Sequence, residues 1–187
     1  MKTKDDKDIL KAVKAGKTLL YPTETVWGLG CDASNEEAVN RIFNLKQRSD
    51  SKSLVCLVSD DAMLNRLIPE IPEIAWELFD ETDKPLTLVL PNAKGLAKNV
   101  GAEDGSVAVR IIRSGPVHKL IYNFRKPIVS TSANISGQPS TRFQKELSST
   151  ITDGVDVIAD WEESQMTGKP SSIIKIEVDG QFKILRH

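Results

Sequence analysis

The chain has few of the residues from which metal centres, disulfide frameworks and histidine-dependent active sites are built. Its 187 residues include two cysteines and two histidines. Cys31 and Cys56 form no CxxC motif, and His118 and His187 lie far from both in the sequence. A structural zinc site therefore has too few ligands, and both cysteines are interpreted as small buried side chains in a reducing compartment.

A long apolar run, a signal segment and an excess of one charge are also missing. No apolar run is long enough to span a bilayer, and the N-terminus, Met1 to Asp6, is charged. With 25 basic and 26 acidic residues, the net charge is −1. This balance argues against a protein whose whole surface binds nucleic acid by charge, but it allows a local basic groove. We therefore expect a cytoplasmic protein with no membrane contact.

Helical and strand patterns alternate along the whole chain, with no repeat and no low-complexity linker. We predict one domain over residues 1–187 of mixed α/β (α+β) class, in which helices cover a twisted mixed sheet. Ser34 and Glu37 form a capping box that is expected to open the second helix, and Asp179-Gly180 predicts a hairpin. The other predicted helices are 5–15, 60–67, 72–79, 116–124 and 141–147. The predicted strands are 18–21, 54–58, 86–90, 107–112, 128–129, 155–158, 173–178 and 182–185, and 22–30 is predicted as a polar loop.

Two polar clusters lie where regular elements are expected to end. Lys46-Gln47-Arg48 closes the second helix, with Lys52 a short loop later, and the serine-rich run 130–134 follows an apolar strand. Cations at helix ends commonly complement the helix dipole, and Ser, Thr and Asn commonly form turns and caps. Three cations on one connection nevertheless repel one another unless an anion compensates them. Together the clusters predict an anion site, with polyphosphate as its natural ligand.

The order of these clusters and of the segments between them resembles the YrdC-like family. The family's two marker pairs, Lys-x-Arg and Ser-x-Asn, are intact as Lys46/Arg48 and Ser132/Asn134. Lys84 stands where members of the family usually have glycine. The segments that carry the resemblance are 21–30 (YPTETVWGLG), 46–48 (KQR), 107–110 (VAVR), 130–134 (STSAN), Ser136-Gly137 and Pro139-Ser140.

The resemblance implies a YrdC-like fold, in which the open sheet surrounds a concave basic groove. It also implies the activity of a threonylcarbamoyl-adenylate synthase, a nucleotidyltransferase that joins L-threonine, bicarbonate and ATP into threonylcarbamoyl-AMP and pyrophosphate. Partner proteins would then transfer the threonylcarbamoyl group to tRNA. Mg²⁺ is expected to accompany ATP, held by phosphates and water, because the sequence has no carboxylate cluster.

The same resemblance implies roles for individual residues. Lys46 and Arg48 are expected to be catalytic. Glu24 is a candidate organiser of the threonine loop, and no residue is expected to hold a structural metal. The implied threonine contacts are Thr25, Arg110, Ser130 and Ser171. The implied ATP contacts are Lys46, Arg48, Lys52, Ser132, Asn134, Ser140 and Arg186.

Two alternative functions stay open from the sequence. A module that binds double-stranded RNA or tRNA would use the same basic groove, and a paralogue could bind nucleotide without synthase activity. The near-neutral charge and an aromatic content of 5% disfavour RNA binding as the main role. A weak contact with tRNA or double-stranded RNA is compatible with the synthase.

Overall fold

The computed structural model describes residues 1–47, 54–163 and 166–187. In these ranges the helices are α1 Asp6–Lys14, α2 Glu36–Leu45, α3 Asp61–Leu67, α4 Glu73–Asp80, α5 Gly115–Phe124 and α6 Ser149–Gly154, with a 3₁₀ turn at Gln144–Glu146. The strands are β1 Lys2–Thr3, β2 Leu19–Pro22, β3 Trp27–Asp32, β4 Val55–Val58, β5 Leu86–Leu90, β6 Val107–Ile111, β7 Ile128–Ser132, β8 Val157–Ala159, β9 Ser172–Ile176 and β10 Phe182–Arg186. No helix in these ranges is long and apolar enough to cross a membrane.

All of these strands join one mixed sheet, which confirms the predicted fold class. Their order across the sheet is β1-β8-β2-β3-β7-β4-β6-β5-β9-β10. The pairs β1/β8, β2/β8, β4/β6 and β5/β9 are parallel. The remaining pairs are antiparallel, including the predicted C-terminal hairpin of β9 and β10. Strands that are distant in sequence therefore lie side by side at the centre of the sheet.

The two sides of the central strands have different chemistry, because successive side chains in a strand point to opposite sides. On one side, Cys56 lies opposite both Val109 and Val129, and Leu88 lies opposite Val109. These four side chains are completely buried. Helix α2 packs on β3, and α3 and α5 pack on β4, so the helices cover this apolar side.

Two predicted loops are in fact strand. Residues 27–30 are predicted as part of the polar loop 22–30, but they belong to strand β3, Trp27–Asp32, which is buried throughout. The serine-rich run is predicted to begin after a strand of two residues, but Ser130, Thr131 and Ser132 continue β7. Both predictions were wrong for the same reason: glycine and serine favour loops by local propensity, whereas here Gly28, Ser130 and Ser132 line a cavity and Gly30 packs closely against β7 and Tyr21.

Two predicted helix boundaries also differ. Asn35, and not Ser34, caps α2, because its side-chain oxygen accepts from the Ala38 N–H at 3.0 Å. Ser34 instead donates its hydroxyl to Asp32 at 2.7 Å. The helix predicted over 141–147 is reduced to the 3₁₀ turn, and α6 follows it in a stretch for which no helix is predicted.

Candidate active site

A cavity of about 810 Å³ lies on the side of the sheet opposite the buried apolar set. Its floor is formed by alternate residues of neighbouring strands. Val55 of β4 lies opposite Ala108 of β6 and Ser130 of β7, and Leu57 lies opposite Arg110. The volume is within the range of about 300–1,000 Å³ that is typical of small-molecule sites. Because the strands pair in this register, alternate residues of β4, β6 and β7 point to the same side of the sheet and form one floor.

The cavity brings together nine of the eleven residues for which substrate contacts are predicted. They come from loops, from β6, β7 and β10, and from the C-cap of α2. Arg48 and Lys52 lie outside the residues that the structure describes. The nine that line the cavity are Thr25, Lys46, Arg110, Ser130, Ser132, Asn134, Ser140, Ser171 and Arg186.

Lys46 joins the two polar clusters directly. It is 3% exposed, and its ammonium donates to the main-chain carbonyls of Ser132 at 2.5 Å and Asn134 at 2.8 Å. Its own carbonyl accepts from the Ser136 N–H at 3.0 Å. Lys46 thus braces the end of α2 against the end of β7 and the loop that follows it.

Asn134 shapes the loop after β7. Its side-chain N–H groups donate to the carbonyls of Ile135 at 3.0 Å and Gln138 at 2.6 Å. Its side-chain oxygen is buried and has no hydrogen-bond partner among the residues that the structure describes. A buried acceptor without a partner costs free energy, so this oxygen is available to a donor brought by a ligand.

A second cation lies farther along the floor, at Arg110. Its side chain is 8% exposed, and its guanidinium forms an ion pair with the half-exposed carboxylate of Glu24. It also donates to the Thr25 hydroxyl at 3.4 Å. Burial lowers the pKa of Arg110, and the Glu24 carboxylate opposes that shift. Arg110 nevertheless stays charged, because an arginine pKa starts far above neutral pH.

The loop that carries Glu24 and Thr25 is held from two sides. The Thr23 hydroxyl bonds with that of Thr25 at 2.9 Å and with the carbonyl of Val26 at 2.7 Å. The carbonyls of Glu24 and Thr25 accept from the N–H groups of Thr167 and Gly168. The backbone beneath the Glu24 side chain is therefore fixed, although the side chain itself is 41% exposed.

A third cation, Arg186, lines the far wall of the cavity on β10. Its Nε donates to the carbonyl of Ser171 at 2.9 Å, and the Ser171 hydroxyl is 2.8 Å from that of buried Thr87. Burial lowers the pKa of Arg186. The charge of Arg186 also disfavours the charged form of Arg110, which lowers the Arg110 pKa further. Two guanidinium groups that repel across one cavity favour an anionic ligand between them.

Two glycines in β3, Gly28 and Gly30, leave space that a side chain would fill. A Cβ at Gly28 would lie 3.1 Å from the Tyr21 ring and 3.2 Å from the Ser130 hydroxyl. A Cβ at Gly30 would collide with the carbonyl of Val129 and lie 2.7 Å from the Tyr21 hydroxyl. Gly30 thus allows β7 and Tyr21 to approach β3, and Gly28 leaves space beside Ser130.

Metal-binding side chains do not gather in this cavity. Among the described residues that line it, Glu24 is the one carboxylate, and it is paired with Arg110. In the described parts of the chain, no group of three or more His, Cys, Asp or Glu side chains could hold a metal ion.

The ion pair of Glu24 and the buried hydroxyl of Thr87 were not assigned to the site from the sequence. Glu24 was considered only as an organiser of its loop. The sequence could have indicated Thr87 as a site residue, because it is a polar residue inside the apolar strand 86–90. The partner of Glu24 carries no local signal, since Arg110 is 86 positions away along the chain.

The cavity as a whole combines cations with small hydroxyl groups and backbone donors. Such a set can bind phosphate oxygens by charge and a small amino acid by its carboxylate, amine and hydroxyl. It holds no pair of nucleophile and histidine among the described residues that line it. The cations and donors that line the cavity can stabilise negative charge on a bound ligand.

Comparison with known proteins agrees with this geometry. Residues 11–187 match the Sua5/YciO/YrdC family model, which is described as telomere recombination. The chain is 34% identical over 176 residues to a threonylcarbamoyl-AMP synthase of Vibrio campbellii, covering 91% of this chain and 93% of that protein. It is 39% identical over 150 residues to the protein of that name in Pseudoalteromonas atlantica, covering 77% and 79% of the two chains.

A solved structure gives the same result for the fold. The crystal structure of P. abyssi Sua5 complexed with L-threonine superposes with a TM-score of 0.80 at 30% identity. The match covers 100% of this chain and 56% of the Sua5 chain. The present chain thus spans about half the length of that structure.

Proposed function

The chain belongs to the Sua5/YciO/YrdC family, and we propose that it is a threonylcarbamoyl-AMP synthase that uses L-threonine, bicarbonate and ATP. The curated relatives that carry this name match most of the chain. The observation that carries the proposal is one cavity that holds buried Arg110 beside Thr25 and also the segment braced by Lys46. An amino acid and a nucleotide could react there without leaving the site.

Arg110 is the proposed anchor for the threonine carboxylate, because a guanidinium fork matches a carboxylate in shape and charge. Thr25, Ser130 and Ser171 surround it in the same cavity. Their hydroxyls can donate or accept, so they suit the hydroxyl and amine of threonine. The threonine-bound Sua5 structure supports L-threonine as the amino acid.

The proposed nucleotide contacts line the same cavity. Ser132, Asn134 and Ser140 offer hydroxyl and amide groups, and the buried Asn134 oxygen could accept from ribose or adenine. The proposed cations for the phosphates are Lys46, Arg48, Lys52 and Arg186, of which Lys46 and Arg48 are the proposed catalytic residues.

The reaction that fits this arrangement has two bond-forming steps. The uncharged amine of threonine attacks the carbon of carbon dioxide and loses a proton to become a carbamate. From bicarbonate, the same C–N bond forms as a C–O bond breaks, and water leaves. A carbamate oxygen then bonds to the α-phosphorus of ATP, and the bond to pyrophosphate breaks. Negative charge builds on phosphate oxygens, so the cations stabilise the transition state.

Mg²⁺ is proposed to enter with ATP. The described cavity offers hydroxyl and carbonyl oxygens, and its one carboxylate is paired with Arg110. That donor set fits a magnesium ion held mainly by phosphate oxygens and water, with few protein ligands. When bound, the ion would neutralise charge on the triphosphate.

The product, threonylcarbamoyl-AMP, is a reactive mixed anhydride. We infer that other proteins of a tRNA-modification system take the threonylcarbamoyl group to tRNA in the cytoplasm. A weak contact of this chain with tRNA stays a proposal within that function.

Pyrophosphate release by the purified protein with Mg²⁺ tests this function. We expect release that requires ATP, L-threonine and bicarbonate together, with a product of the mass of threonylcarbamoyl-AMP. Reactions that omit one substrate each are the controls. Release that ignores threonine, or none above background, would contradict the proposal.

A further inference from the structure

Glu24 is bound to the guanidinium that the proposed function assigns to the substrate carboxylate. The two partners differ in exposure, because the Arg110 side chain is 8% exposed and the Glu24 side chain is 41% exposed. A buried cation is thus neutralised by a carboxylate that reaches it from a solvent-accessible position. Glu24 occupies the position at which another carboxylate would bind.

Space for the Glu24 side chain exists on the other side of the ion pair. A second cavity of about 380 Å³ adjoins the first, and Thr23, Glu24 and Arg110 line both. Lys84 lies on the wall of the second cavity. Its ammonium has no hydrogen bond or ion pair with any residue in the described ranges, whereas its main-chain N–H donates to Thr82. Lys84 therefore offers a cation in the wall of the second cavity. The other charged side chains that line this cavity, besides Glu24 and Arg110, are Asp83, Arg113 and Glu162.

We propose that Glu24 is a positioning residue that occupies the carboxylate site of Arg110 until L-threonine binds. The substrate carboxylate then replaces it, and the Glu24 side chain rotates into the second cavity toward Lys84. This inference rests on the proposed function. It assigns a role to Glu24 and to Lys84 that the cavity lining alone does not give.

The exchange follows from the cost of a buried charge. A guanidinium that is 8% exposed is unfavourable without an anion, so the site is more stable when a carboxylate is bound. Threonine supplies one when Glu24 leaves, and the charge balance is kept. A ligand without a carboxylate cannot displace Glu24 at the same cost, so the pair selects for carboxylate ligands.

The competition has a measurable consequence. Because threonine binds only when Arg110 is released, the apparent dissociation constant equals the intrinsic one divided by the fraction of time that Arg110 is released. If Arg110 is released for about a tenth of the time, removal of the competing charge strengthens carboxylate binding about tenfold. Glu24→Gln removes that charge and keeps the size of the side chain.

Calorimetric titration of the Glu24→Gln protein with three probes tests this role. The probes are L-threonine, 3-hydroxybutyrate, which lacks the amine, and 1-amino-2-propanol, which lacks the carboxylate. We expect 3-hydroxybutyrate to bind about tenfold more tightly than to the wild type, with 1-amino-2-propanol unchanged. Glu70→Gln is the matched control, because Glu70 is exposed and lines neither cavity. Glu24→Asp keeps the charge on a shorter side chain, so its affinity for 3-hydroxybutyrate should lie between those of the wild type and the Glu24→Gln protein. This variant preserves the test if the Glu24→Gln protein does not fold.

Two outcomes would overturn the proposal. Weaker binding of 1-amino-2-propanol with unchanged 3-hydroxybutyrate would show that Glu24 holds the substrate ammonium. No change for any probe would show that the ion pair only supports the loop. If the wild type fails to bind L-threonine or to release pyrophosphate, the proposed function fails instead, so the two failures are distinguishable.

Lys84 is tested by a double-mutant cycle with the same probe. Lys84→Ala should weaken 3-hydroxybutyrate about two- to threefold in the wild-type background and have no effect beside Glu24→Gln. An equal effect in both backgrounds would overturn the rotation toward Lys84.

Discussion

Two cations on the floor of one cavity are held in different ways. Lys46 donates to the main-chain carbonyls of Ser132 and Asn134. Arg110 is held by the side chains of Glu24 and Thr25. The carbonyls at the end of β7 cannot leave Lys46 unless the strand end moves, whereas the half-exposed Glu24 side chain can rotate away. The Lys46 end of the cavity is therefore a fixed brace, and the Arg110 end is an exchangeable site.

The difference matches the two proposed substrates. A nucleotide needs its phosphates held in one geometry for in-line displacement, and a braced segment supplies that geometry. Threonine is a small zwitterion, and a neutral ion pair can open to receive its carboxylate. The comparison thus predicts that changes at the two ends have separable effects on the two ligands.

The largest effect is expected from Lys46→Met, which removes the ammonium and keeps a long side chain. Threonine-dependent pyrophosphate release should fall about a hundredfold or more, because the phosphate side loses its brace. The free energy of unfolding should fall by about 1–3 kcal/mol, since two carbonyls lose their donor. Lys145→Met, at an exposed lysine beside Phe143, is the control for both measurements. Activity within a few-fold of wild type would show that the contact of Lys46 with the two carbonyls is not needed for the reaction.

A smaller effect, confined to threonine, is expected from Arg110→Lys. Lysine keeps the charge but lacks the planar fork, so the KM for threonine should rise about tenfold with little change in the KM for ATP. Arg66→Lys is the matched control, because Arg66 is exposed and lines neither cavity. Steady-state kinetics with each substrate varied in turn makes the measurement. An equal rise in both KM values would show that Arg110 does not belong to a separate threonine end.

The smallest effect is expected from Gly28→Ala, which adds one methyl group beside Ser130. The new Cβ would lie 3.1–3.2 Å from Tyr21, Ser130 and Thr23, so these neighbours must shift by a few tenths of an ångström. We expect the KM for threonine to rise about threefold with the fold retained. Gly101→Ala is the control, because its Cβ would make an ordinary contact at 3.5 Å. A threonine KM that stays at the wild-type value would place the amino acid away from Gly28.

Much of this arrangement could be predicted from the sequence. The mixed sheet follows from alternating patterns, and the ordered motifs select residues that the fold brings to one cavity, such as Thr25, Arg110 and Ser132. The boundaries at β3 and β7 could not be predicted from local propensity. Gly30 is required there by the approach of Val129 and Tyr21, and Ser130 faces a cavity and not a core. Both requirements arise from tertiary neighbours.

The ion pair between Glu24 and Arg110 could not be predicted for a similar reason. Nothing near residue 24 indicates its partner, because the pair forms only when the loop after β2 lies over β6. The contact of Lys46 with the end of β7 also depends on packing between distant elements. Sequence patterns identified the residue types for the chemistry, whereas the fold decided which cation is braced and which is exchangeable.

Paired binding titrations of the Lys46→Met and Arg110→Lys proteins test the central claim most directly. ATP and L-threonine would each be titrated, with the other substrate absent, into both variants and into the wild type. The account predicts a crossed pattern, in which Lys46→Met weakens ATP and spares threonine while Arg110→Lys weakens threonine and spares ATP. Equal weakening of both ligands in either variant, or the reverse pattern, would contradict it.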